Sequence, residues 1–169
     1  SALSYAINRV FFKDSIYTKA VSDKGVRVSH NKDISILNMI TVNKLIETNF
    51  KTIRPEQTLR DLLPIISTST RNIYPVVDEK GNFKGHVLFD SIRKIIFDPD
   101  QYDTSIEDIM LLPDYLVTTE DSAEDVVKKF ERSGNYNIAV VDGKKYLGYI
   151  SRALIFTTYQ ATLKEISDD

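Results

Sequence analysis

His30 and His86 are the only imidazoles in this 169-residue chain, and cysteine is absent. Imidazole and thiolate are the groups best suited to metal binding, nucleophilic attack and proton transfer near neutral pH. Without cysteine, disulfides, Cys–zinc sites, iron–sulfur clusters and thiol nucleophiles are excluded. Two histidines far apart in sequence, with no carboxylate cluster beside them, make a poor metal site, so His86 reads as a strand residue. Ser67-Thr68-Ser69-Thr70 could cradle an anion with hydroxyls and backbone N–H groups; the plainer reading is a solvated helix end. Gly81-Asn82-Phe83-Lys84-Gly85 has neither the Walker spacing nor its Gly-Lys-Ser/Thr ending, and reads as a turn. No G-x-S-x-G, H-E-x-x-H or G-x-G-x-x-G is present. Carboxylates such as Glu56 and Asp121 fall at expected helix starts, where they favour the helix dipole rather than acid–base chemistry. These residues argue against an enzyme.

The composition is that of a folded chain: 42% hydrophobic and 27% charged. Lys plus Arg total 22 against 24 Asp plus Glu, a net charge of −2, so the basic excess of a nucleic-acid binder is missing. No apolar run approaches the roughly 18–20 residues that span a bilayer, and no signal peptide is recognisable. The chain starts at Ser1 without Met, which reads as a piece of something longer.

An internal repeat organises the rest. Val42 to Asp78 aligns without a gap on Ile106 to Asp142, at a constant offset of 64. Glu56 meets Glu120, Asp61 meets Asp125, Ser69 meets Ser133, and Val76-Val77-Asp78 meets Val140-Val141-Asp142. One deletion in the next turn aligns Gly85 with Gly148 and Ile92 with Ile155. Each copy predicts a short β stretch, at Phe50 to Arg54 and Tyr115 to Thr118. A helix follows, with buried stripes Leu59, Leu62, Leu63, Ile66 and Ala123, Val126, Val127, Phe130. Thr58 and Ser122 stand at N-cap positions with Asp61 and Asp125 three residues on, close to a capping box. Pro64 removes one helical bond and predicts a kinked or shortened first helix.

Two strands around a turn come next: Ile73 to Val77 with His86 to Phe89, and Ile138 to Val141 with Tyr146 to Ile150 around Asp142-Gly143. A second helix closes each copy, at Ser91 to Phe97 and at Arg152 to about Ile166. The predicted fold class is α+β: two tandem β-α-β-β-α units, packed as a pseudo-twofold pair because a unit of this size is marginal alone. The expected boundaries are 41–97 and 105–169, with a polar linker at 98–104. Residues 1–40 form a leader, in which Val10, Phe11 and Phe12 end a helix and Gly25 breaks the chain. The C-terminal stripe Leu154, Ile155, Tyr159, Leu163, Ile166 is an amphipathic face for its own unit or for a partner.

A β-α-β-β-α unit with a Pro-Val-Val-Asp middle strand, a turn and a Gly-led next strand resembles the cystathionine-β-synthase (CBS) domain. Two copies resemble a CBS pair, or Bateman module, over residues 41–166. Gly85-His-Val-Leu-Phe-Asp90-Ser-Ile-Arg93, leading into Phe97-Asp98-Pro99, resembles the end of the first CBS unit of CLC chloride channels and transporters. Ser15–Asp33 is similar to the segment that joins the last CLC membrane helix to its CBS pair, and Leu147–Ser167 to the family's C-terminal helix. The resemblance implies a cytoplasmic regulatory module, at the cytoplasmic face of the membrane, joined through residues 1–40 to its own transmembrane chloride-transport domain. It implies a homodimer through the CBS units. Other readings are a ligand-free dimerisation domain, or a CBS pair from a magnesium transporter or a nucleotide-metabolism enzyme.

CBS pairs often bind adenine nucleotides, and the resemblance extends that expectation to ATP, ADP or AMP. The family's marker is an Asp that holds the ribose hydroxyls, following Gly-h-h-(Ser/Thr). Here Ser151 is present but Leu154 takes the Asp place; in the first repeat Leu88 and Ser91 take the two places. Asp90 stands one position early, about 100° round a helix. Arg71 and Asn72, with their repeat mates Asn135 and Tyr136, lie where the family packs adenine and phosphate. Arg71 suits a phosphate and Tyr136 a base; the plainer reading is loop residues and a partly buried ring. These substitutions predict weak adenine-nucleotide binding.

Overall fold

The computed structural model describes residues 33–167. The expected helix end at Val10, Phe11 and Phe12, the break at Gly25, His30 and almost all of Ser15–Asp33 lie outside them. Among the described residues no helix is long and apolar enough to cross a membrane. The elements, in chain order, are α1 (Leu59–Thr68), β1 (Ile73–Val77), β2 (Phe83–Leu88), α2 (Phe89–Ile92), α3 (Ile106–Ile109), β3 (Val117–Thr118), α4 (Ala123–Ser133), β4 (Asn137–Asp142), β5 (Lys145–Ser151) and α5 (Arg152–Ser167). Short 3-10 turns at Val42–Leu45 and Pro99–Gln101 and a helical stretch at 33–38 complete them.

Local chemistry explains most of these boundaries. Ser122 caps α4: its Oγ accepts from the Asp125 N–H (3.1 Å), and the Asp125 carboxylate accepts from the Ser122 N–H (3.0 Å). The Asp61 carboxylate likewise accepts from the Thr58 N–H (2.9 Å) at the start of α1. Gly134, at φ 68, ends α4 in the left-handed conformation that glycine adopts without penalty. α1 runs from Leu59 through Pro64 to Thr68. Near its C-terminal end the Ser67 and Thr68 hydroxyls both donate to the Pro64 carbonyl, at 2.9 and 2.8 Å.

The strand expectations hold with shifts. Phe50 to Arg54 contributes only a single bridge, Ile53 to Val76, before Pro55 diverts the chain. Its repeat equivalent Val117–Thr118 is a true parallel strand on β4. β2 starts three residues before the expected His86, because the Phe83 N–H bonds to the Lys144 carbonyl (2.8 Å). A bulge between Val76 and Val77 absorbs the register change. The Asp78 carboxylate closes this turn by accepting from the Asn82 side chain and from the Asn82 and Lys80 N–H groups, which hold its pKa at about 2. The expected helix Ser91 to Phe97 is instead one turn, Phe89–Ile92. The Phe89 N–H, first in the helix, donates to the Asn72 carbonyl (2.9 Å), and the chain runs on from Ile92 in turns.

The described chain divides into two compact bodies that do not coincide with the two repeats. One comprises 33–45, 120–137 and 150–167; the other 46–119 and 138–149. In the first, Val126, Val127 and Phe130 of α4 and Ile155 and Tyr159 of α5 are buried, as are Ile36, Leu37 and Ile40. The Tyr159 hydroxyl donates to the Asp33 carboxylate (2.6 Å). Of the expected C-terminal stripe, Ile166 is exposed. The second body has a core of Ile53, Leu59, Leu62, Tyr74, Val76, Val87, Ile92 and Ile106. Beside it Phe50, Ala139 and Tyr149 form a smaller aromatic cluster.

The second body shows why the repeat matters. Glu47, leading the first repeat, bridges to Tyr149 on the last strand of the second. Its repeat mate Leu111, leading the second, bridges to His86 on the last strand of the first. Both bridges are complete: Glu47 and Tyr149 exchange bonds of 2.8 and 3.0 Å, Leu111 and His86 bonds of 2.8 and 3.0 Å. Each repeat therefore supplies an edge that the other needs.

Candidate functional site

The six sequence-selected residues fall into both bodies. Arg71, Asn72 and Asp90 belong to the second, and Asn135, Tyr136 and Ser151 to the first. Arg71 follows α1, whose last carbonyls are closed by the Ser69 N–H. Ser69 Oγ in turn accepts from the Arg71 N–H (3.0 Å) and donates to the Arg71 carbonyl (3.1 Å). That turn aims the Arg71 guanidinium inward. It donates to the Glu47 carboxylate and to Asn49 Oδ1, both at 2.7 Å, and lies 4.7 Å over the Phe50 ring. The pair is partly buried on both sides, so its attraction is less screened than that of a surface pair.

Asn72 is exposed, and its carbonyl receives the Phe89 N–H. Asp90 is exposed at the start of α2 and pairs with Arg93, one turn on. The hydroxyls of Ser67, Thr68 and Ser69 are all engaged with nearby backbone, and Thr68 Oγ1 also accepts from Lys51 (2.6 Å). They cap a helix end; they do not frame an anion cradle.

In the first body, Ser151 closes β5 and caps α5, its Oγ accepting from the Leu154 N–H (3.1 Å). The Asn135 N–H bonds to Ser133 Oγ (3.1 Å). Tyr136 is 76% exposed, which corrects the reading of a partly buried ring. The glycine cap at Gly134 turns the chain out of α4, so the next two residues are left on the surface.

Sequence reasoning missed Arg152. Its backbone N–H bonds to the Tyr136 carbonyl (2.8 Å), and its Nη2 donates to the Phe130 carbonyl (2.8 Å). Its guanidinium lies 5.6 Å from the Tyr136 ring centroid and 5.7 Å from that of Phe130, within cation–π range. Arg152 Nε is buried without a hydrogen-bond partner among the described residues. The sequence signal was an Arg directly after the hydroxyl residue of the family motif, at a strand-to-helix junction.

Chemically, the first body offers an exposed aromatic ring backed by a cation, a surface that stacks a planar ring. The second body offers a guanidinium already neutralised. Neither arrangement pairs a nucleophile with a base, and neither Leu154 nor Ser91 can supply a ribose-binding carboxylate.

Comparison with known proteins agrees with this architecture. A CBS domain of the bacterial CNNM/CorC family Mg2+ transporter, solved in complex with ATP, is similar with a TM-score of 0.66 and 19% identity; it covers 77% of this chain and 94% of its own. CbpB in complex with c-di-AMP is similar with a TM-score of 0.68 and 11% identity, covering 82% and 96%. A CBS domain protein from Streptococcus pneumoniae has a TM-score of 0.68 and 18% identity, covering 84% and 99%. No curated protein matches the chain. The sequence model of the CBS domain matches residues 42–98 and again 106–159, more than half of the chain. With these two matches falling on the two β-α-β-β-α repeats, the chain belongs to the CBS domain family, as a tandem pair with an α+β fold.

Proposed function

We propose that this CBS pair is the cytoplasmic regulatory and dimerisation module of a CLC-type chloride channel or chloride/proton antiporter. In this reading it modulates gating or assembly and catalyses nothing. The observation that carries the module reading is the reciprocal bridging of Glu47 to Tyr149 and Leu111 to His86. With each repeat's leading segment seated on the other's last strand, displacement of the chain entering at residue 46 is felt by both repeats. A regulatory signal from a membrane domain needs such a mechanical tie. The CLC assignment is supported by the Gly85–Arg93 pattern and its Phe97-Asp98-Pro99 exit, where Asp98 accepts from the Asp100 N–H (3.1 Å) and starts a 3-10 turn.

Adenine-nucleotide sensing is a second reading. The exposed Tyr136 ring over Arg152 favours it, as do the ATP and c-di-AMP complexes of the similar CBS proteins. Against strong binding stand the missing ribose carboxylate and the Arg71 guanidinium held by Glu47 and Asn49. Chloride flux through the full-length protein in liposomes tests the leading reading. Deleting residues 105–169 is expected to change transport rate or dimer content while anion selectivity stays as it was. A change in anion selectivity, or no change in any of the three, rejects it.

A further inference from the structure

The seam where the last strands of the two repeats meet, within the second body, contains a titratable group. His86 follows Gly85 as Tyr149 follows Gly148, so the two are repeat mates. Their rings stack at 28° with centroids 6.3 Å apart, and His86 Nδ1 lies 3.1 Å from Tyr149 Oη. Phe83 and Tyr146 are mates in the same way, stacked at 19° and 6.0 Å. Phe50 closes on Tyr149 at 4.7 Å. Tyr149 is fully buried, and Tyr146 Oη is buried without a hydrogen-bond partner among the described residues. The backbone of His86 makes both bonds of the bridge to Leu111.

The titratable group that the imidazole touches is the Tyr149 phenol of β5, with the Tyr146 phenol packed edge-on against Tyr149; Phe83 meets the imidazole edge-on from β2. The charged groups on the adjoining bridge are Glu47 and Arg71, already paired with each other. Its strand neighbours Pro75 and Leu111 carry no charge.

We propose that His86 makes this seam acid-labile, so that proton uptake on its imidazole releases the join between the two repeats. In the neutral tautomer with Nδ1 unprotonated, that nitrogen accepts from the Tyr149 hydroxyl; an imidazolium donates from both nitrogens, so the hydroxyl can then only accept from it. Tyr149 then loses Nδ1 as an acceptor and has only a ring-lined surrounding and the unpartnered Tyr146 hydroxyl to turn to. A cation arrives where burial already disfavours one: desolvation holds the His86 pKa below its ordinary 6.5. The sign follows from linkage. The opened seam binds the proton more readily than the closed one. Stability is therefore complete above 6.5 and is lost as pH falls below it, until the closed-state imidazole itself is protonated.

Hydrogen exchange read by NMR tests this, in the whole chain carrying His30→Gln so that His86 is its only histidine. With one extra proton bound in the opened state, the protection factors of the Leu111 and His86 amides should fall about tenfold per pH unit below the crossover. The Val126 amide in α4 should keep its protection factor. In His86→Gln, which preserves a neutral hydrogen-bonding side chain, the seam amides should show no such fall. The same fall in His86→Gln, or flat protection in the His30→Gln chain, overturns the proposal. If His86→Gln does not fold, the imidazole titration in the His30→Gln chain decides: a midpoint below 6.5 supports the proposal, and one at or above 6.5 overturns it.

Discussion

Single side chains decide more here through where they are not free than through any reactive pairing. Arg71, the cation singled out in the first repeat for a phosphate, is held by Glu47 and Asn49. Sequence position singled out Arg71 as a phosphate candidate by resemblance alone; its partners lie 22 and 24 residues away and only folding reveals them. Tyr136 shows the reverse. Its ring was expected to be partly buried, and the left-handed Gly134 cap sets it outside. The two motif glycines are the most demanding residues of all. Gly148 has φ 150, and a Cβ there would sit 2.4 Å from the Glu47 carbonyl oxygen; at Gly85, φ 157, it would sit 2.7 Å from that of Leu111. Both glycines thus let the leading segment of one repeat lie against the last strand of the other. Gly148→Ala is expected to cost about 2–4 kcal/mol from backbone strain plus overpacking. Urea unfolding of the variant measures it; an unchanged midpoint would contradict this role for the glycine.

Elements were legible where local chemistry alone fixes them. The capping boxes at Thr58 and Ser122, the 3.6-residue stripe of α4 and the Asp142-Gly143 turn were all readable, because each depends on neighbours within four residues. Ser122→Ala, which deletes one half of the α4 cap, is expected to lower stability by about 1 kcal/mol. Thermal unfolding checks it, with Ser122→Thr restoring most of the loss because a threonine hydroxyl also accepts from the Asp125 N–H and donates to its carboxylate; a melting point unmoved by Ser122→Ala would contradict the cap. Elements were misjudged where distant bonds intervene. Nothing near Phe83 announces that its N–H pairs with Lys144, so β2 begins earlier than the hydrophobic pattern implied. The helix expected from Ser91 to Phe97 is displaced in the same way: it starts at Phe89, whose N–H the Asn72 carbonyl accepts, and gives way to turns after Ile92. Pro64, expected to kink or shorten α1, lies inside a helix that runs from Leu59 to Thr68.

At the scale of the whole chain, the offset of 64 revealed the tandem pair before any coordinate did. It did not reveal the exchange of edges, since periodicity reports that two segments are alike and not which partner each one takes. The exchange makes the two repeats interdependent, which is what a module that relays state requires and what two independent ligand cups would not. The proposed role follows from this: regulation and assembly by coupled packing, with weak dependence on adenine nucleotides, since the ribose carboxylate is replaced by Leu154 and Ser91 and the Arg71 charge is spent internally. Isothermal titration calorimetry of the whole chain with ATP, ADP and AMP tests that most directly. The account predicts affinities no tighter than about 1 mM, near −4 kcal/mol, for all three; micromolar binding of any one of them would contradict it.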